Sequence, residues 1–97
     1  MNYNEYYYKI IKITHHNGRC RAECGASSVH YRKSIGLTGK IIQLERGKEF
    51  LMDEILGSSG AIIRGFIVQT SIVIAFVHSE NMLLIATRNS IYYLHRV

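Results

Sequence analysis

A chain of 97 residues with 12 Lys and Arg against 7 Asp and Glu, a formal net charge of +5 and 47% apolar residues is too short to build two cores and too apolar to stay unfolded, so one folded domain over residues 1–97 is expected. Two cysteines are too few for the disulfide framework of a small secreted domain, and Met1-Asn2-Tyr3-Asn4-Glu5 holds no basic stretch leading into an apolar one; a cytoplasmic protein is expected. The most apolar run, residues 66–77, is interrupted by Gln69, Thr70 and Ser71 and is shorter than the roughly 20 residues that span a bilayer.

Tyr6-Tyr7-Tyr8-Lys9-Ile10-Ile11-Lys12-Ile13 is dense in aromatic and β-branched residues and ends at the turn-forming His16-Asn17-Gly18, which predicts a first strand. Neither alternate set is cleanly polar: Tyr7, Lys9, Ile11 and Ile13 form one, and Tyr6, Tyr8, Ile10 and Lys12 the other. Residues 14–39 hold four glycines, both cysteines and three of the five histidines; this is a loop region, with short strands expected over 19–23 and 28–33. Residues 40–44 read as a strand closed by Glu45-Arg46-Gly47. Residues 48–56 fit two readings, since Phe50, Leu51, Ile55 and Leu56 approach helical spacing while 49–52 alone fit a strand.

Gly57-Ser58-Ser59-Gly60 marks a turn, and residues 61–63, 66–78, 82–88 and 91–96 are β-branched and apolar runs separated by short turn signals. Connections this short demand antiparallel neighbours, because a parallel pair needs a crossover of a dozen residues or more. In the longest run both alternate sets are apolar, which predicts a central strand covered on both sides, with a bend near Gln69-Thr70-Ser71. The fold class expected is mainly β: a small antiparallel SH3-like barrel or curled meander, with or without one short helix over 48–56.

Gly36-Leu37-Thr38-Gly39, then Leu44, Gly47 and Phe50, then Gln69-Thr70-Ser71-Ile72-Val73, and finally Ala86-Thr87-Arg88-Asn89-Ser90-Ile91-Tyr92-Tyr93-Leu94 resemble a pattern in small proteins of Firmicutes phages and mobile elements. The resemblance covers about residues 36–95 and leaves out residues 1–35. It implies a small β-barrel encoded by a mobile element, for which inhibition of a host defence nuclease is one role, and it implies no site. Taken physically, Asn89-Ser90 suits a tight turn, and Thr70, Ser71 and Thr87 are placed to pair across strands through their hydroxyls.

The charge is distributed unevenly. Residues 1–40 carry Lys9, Lys12, Arg19, Arg21, Arg32, Lys33 and Lys40 against Glu5 and Glu23, which accounts for the whole net charge; from Ile41 onward five cations meet five carboxylates. Clustered Lys and Arg raise local potential and speed encounter with polyanions, and tyrosines among them offer faces on which bases stack. The candidate binding residues are Tyr7, Lys9, Lys12, Arg19, Arg21, Tyr31, Arg32, Lys33 and Lys40, with Tyr6 and Tyr8 in the same basic and aromatic set, for nucleic acid or an acidic surface of a host nucleic-acid or defence protein.

Cys20, Cys24, His16 and His30 are of the types zinc prefers, yet they lack a second Cys pair and histidines at the usual separation; reduced cysteines and surface histidines are the simpler reading. No nucleophile elbow, positioned base or phosphate-cradling loop is present in the sequence. A non-enzymatic module without a cofactor is therefore expected. A structural protein that self-associates through strand edges and tyrosines is its rival.

Overall fold

The computed structural model describes residues 5–19, 34–57 and 59–97. They form six strands: β1 (Tyr7–Thr14), β2 (Thr38–Gln43), β3 (Glu49–Leu56), β4 (Val68–Ser79), β5 (Met82–Thr87) and β6 (Ile91–Arg96). Each pairs antiparallel with the next, and β6 pairs antiparallel with β1, so the sheet closes on itself in chain order. The expected strands at 19–23 and 28–33 lie outside the described residues, apart from Arg19, which is in no strand. No helix of the described residues is long and apolar enough to cross a membrane.

These findings correct two expectations. The SH3-like barrel is replaced by a small antiparallel domain of six strands hydrogen-bonded in a ring, and we define the fold by that pairing rather than by a barrel family. Residues 48–56 form no helix: Glu49–Leu56 is β3. Phe50, Met52 and Ile55 are all fully buried. The three-residue step from Met52 to Ile55 arises because Glu54 is extra: Thr38 pairs with Leu56 and Lys40 with Asp53, and Glu54 takes a positive φ of 50°. One bulge in a period-two pattern imitates helical spacing.

The same device resolves the first strand. Ile10 pairs with Leu94 and Lys12 with Tyr93, leaving Ile11 as the extra residue. Tyr8, Ile10 and Ile13 therefore enter the core, while Tyr7, Lys9, Ile11 and Lys12 face outward. In β4, Glu49 pairs with Ile72 and Leu51 with Gln69, so the added residue lies at Thr70-Ser71, where the sequence predicts a bend. The Thr70 hydroxyl accepts from the Phe50 amide at 3.3 Å and donates to the Ser71 carbonyl at 2.8 Å, satisfying groups that the interrupted ladder leaves over.

The core joins Tyr8, Ile10 and Ile13 of β1 with Phe50, Met52 and Ile55 of β3, Leu83 and Ile85 of β5, and Tyr92 and Leu94 of β6. Gly39 of β2 is buried opposite the β3 bulge. A Cβ there would stand 2.5 Å from Ile55 Cδ1 and 2.8 Å from the Asp53 carbonyl oxygen, so the close approach of the two strands requires glycine. The expectation that β4 is covered on both sides is wrong beyond Val73: Ile74, 53% exposed, is the extra residue where the β4–β5 register slips, and beyond it Ala75 and Val77, the latter 64% exposed, face outward.

The β5–β6 turn is held by side chains. The Thr87 hydroxyl accepts from the Ser90 amide and donates to the Ser90 carbonyl, both at 3.1 Å, while the Asn89 amide donates to Ser71 Oγ at 3.3 Å. Asn89 is not among the residues with positive φ. These hydroxyls therefore close bulges and turns, with only Thr70 reaching across to the neighbouring strand.

Candidate binding surface

Directly opposed residues on antiparallel strands point to the same face, so the pairing defines the outward surface. Running from β4 to β1, one row is Val77, Leu84, Tyr93 and Lys12; the next is Ser79, Met82, His95 and Lys9; a third holds Ala75, Ala86 and Ile91. Four strands about 4.8 Å apart make this face roughly 14 Å wide. None of β1, β4, β5 and β6 contains Asp or Glu. Lys9 and Lys12 are exposed and form no ion pair among the described residues.

The opposite half of the ring differs. Lys40 Nζ on β2 lies 3.7 Å from Glu54 Oε2 on β3, the Tyr7 hydroxyl donates to the same carboxylate at 3.3 Å, and Lys40 stands over the Tyr7 ring at 5.2 Å. Beyond β2, Lys48 Nζ reaches Glu45 Oε2 at 2.9 Å; that hydrogen bond and the carboxylate's charge hold the ammonium above its usual range. Glu49 and Asp53 add acid on β3. Lys40 and Lys48 are thus partly neutralised, whereas Lys9 and Lys12 of β1 are not.

Of the nine expected binding residues, the structure brings Tyr7, Lys9, Lys12 and Lys40 onto adjoining strands. Arg19 is exposed beyond the turn that follows β1, and its amide donates to Asn17 Oδ1. Arg21, Tyr31, Arg32 and Lys33 lie outside the described residues, as do Cys20, Cys24 and His30. His16 Nε2 stands 2.7 Å from the Thr87 carbonyl oxygen, in the geometry of an imidazole N–H donating to it, which ties the loop after β1 to the end of β5. No group of three metal-ligating side chains occurs among the described residues.

The aromatic part of the expected surface needs correction. Tyr8 is fully buried and Tyr92 nearly so. The remaining described tyrosines each carry a cation over the ring: Lys40 on Tyr7, Lys12 on Tyr93 at 5.4 Å, and Arg96 on Tyr6 at 4.5 Å. Such contacts are worth about 0.5–1 kcal/mol at exposed sites, so a stacking base has to displace a lysine or an arginine. Sequence reasoning missed Tyr93 and His95, which join the lysines only through the β1–β6 register. Tyr93 belongs to a recognisable strand pattern, but that pattern does not reveal the lysine that gives the ring its role.

A second feature had no forecast in the sequence. A cavity of about 550 Å3 is lined by Glu49, Phe66, Ile67, Val68, Gln69 and Tyr92, among others. Its carboxylate, Glu49 Oε2, accepts a hydrogen bond from Gln69 Nε2 at 2.5 Å. No family model, no curated protein and no solved structure matches this chain.

Proposed function

We propose that the protein is a non-enzymatic binding module whose β1–β6 face engages a polyanionic partner, either nucleic acid or the acidic surface of a protein. The observation that carries this reading is the placement of Lys9 and Lys12, exposed and without ion-pair partners among the described residues, on a face built by four strands that contain no Asp or Glu. Long-range attraction from such a face steers a polyanion toward it, and the displaced counterions make binding salt-dependent. The likeness to phage and mobile-element proteins favours a host nucleic-acid or defence protein as the setting of this contact. Self-association through tyrosines is the weaker reading, because intramolecular cations already stand over the rings of exposed Tyr6 and half-buried Tyr7 and Tyr93.

The test is a titration with single-stranded oligothymidylate and with polyglutamate at several salt concentrations. Binding should weaken steeply with salt, and Lys9→Ala with Lys12→Ala should lower the log–log slope for the oligonucleotide by about 1.4, at roughly 0.7 for each phosphate no longer neutralised. Absence of binding to either polymer, or a slope that the double substitution leaves unchanged, would overturn the reading.

A further inference from the structure

The β4–β5 side of this face is aliphatic, and a surface built for phosphates alone has no use for that. Val77 is 64% exposed, Ala75 is exposed, and Leu84 and Met82 are half-buried on the same outward side. Their rows run without interruption into Tyr93 and Lys12, and into His95 and Lys9. Across roughly 14 Å the surface passes from aliphatic through aromatic to cationic. From Gly65 to Ser79 the chain has no charged residue, so nothing on β4 repels an apolar side chain laid against it.

We infer that this face receives an acidic amphipathic peptide segment, with its aliphatic side chains against Val77 and Leu84 and its carboxylates against Lys9 and Lys12. The inference rests on the polyanion reading and narrows it to a protein partner. Two complementarities select that partner over a nucleic acid. Carboxylates match lysines that have no internal acid, and aliphatic side chains gain from covering exposed Val77 and half-buried Leu84. Bases find no open ring among the described tyrosines, since Tyr8 and Tyr92 are buried and Tyr6, Tyr7 and Tyr93 already hold a cation.

Three labelled probes of equal formal charge decide the matter by fluorescence anisotropy: a short peptide alternating Glu and Leu, a polyglutamate peptide, and oligothymidylate. The alternating peptide should bind at least about tenfold more tightly than either of the others, a difference of about 1.4 kcal/mol. Val77→Thr together with Leu84→Thr should reduce that preference at least about fourfold, the effect of roughly one buried methylene, while polyglutamate binding stays as before. Val77→Thr alone, at a position already open to solvent, guards against a folding defect and should shift the preference in the same direction. Equal binding of the three probes, unaffected by either variant, would refute the peptide inference and leave the polyanion reading intact. Tightest binding of oligothymidylate would refute it in favour of a nucleic acid, and no binding of any probe would bring down both.

Discussion

The two halves of the ring use the same kind of strand for different ends. On the β4-β5-β6-β1 side, the β5–β6 ladder runs without a break from Met82 paired with His95 to Ala86 paired with Ile91, and carboxylates are absent from all four strands. On the β2–β3 side the ladder slips twice, Glu54 takes a left-handed backbone, Gly39 admits no side chain, and Lys40 pairs with Glu54. The ladders flanking β5–β6 carry an extra residue each, Ile74 in β4 and Ile11 in β1, so the two halves differ in internal charge pairing rather than in regularity. The β4-β5-β6-β1 half is left with an outward surface that no internal requirement explains. Charge at the first half of the chain is thus divided by the fold into neutralised and available cations.

Substitutions on the closing side should cost stability and leave binding specificity alone. Phe50→Ala removes a fully buried ring that lies 6.4 Å from Tyr92, centroid to centroid, and should lower unfolding free energy by about 3–5 kcal/mol in urea titration. Gly39→Ala forces a Cβ against the Asp53 carbonyl and Ile55 and should cost about 1–3 kcal/mol by the same measurement. On the other half, in the buried turn after β5, Thr87→Val removes the hydroxyl that serves the Ser90 amide and carbonyl, for a loss of about 1–3 kcal/mol. If Gly39→Ala proved neutral, the tight β2–β3 approach would not be what shapes the closure.

Much of the strand layout was legible because β-branched runs and short turn signals leave few alternatives: β6 follows its forecast boundaries, and β1, β2, β4 and β5 lie within two residues of theirs at each end. What stayed hidden were the bulges at Ile11 and Glu54, unlike the bend at Thr70-Ser71. A single extra residue at Ile11 or Glu54 reverses which set of side chains is inside, and nothing in local composition marks Ile11 as different from Ile10. The site was half-legible for the same reason. The charge asymmetry pointed to β1, but the neutralisation of Lys40 by Glu54, the burial of Tyr8 and the arrival of Tyr93 beside Lys12 depend on register between strands far apart in sequence.

The smallest expected effect sharpens the picture of β1 itself. Thr14 is fully buried and its hydroxyl has no hydrogen-bond partner among the described residues. Thr14→Val should therefore stabilise the protein by about 1 kcal/mol in urea titration, since an unpaired buried hydroxyl carries a desolvation cost. A destabilised variant would mean that the hydroxyl is satisfied in solution.

The division between the two halves is tested most directly by following backbone amide resonances while polyglutamate is added at low salt. Shifts should concentrate on Lys9, Lys12, Tyr93 and His95 and fade as salt rises, with Lys40, Lys48 and their acidic partners nearly unmoved. Equal or larger shifts along β2 and β3, or shifts indifferent to salt, would contradict the assignment of the available charge to the β1–β6 face.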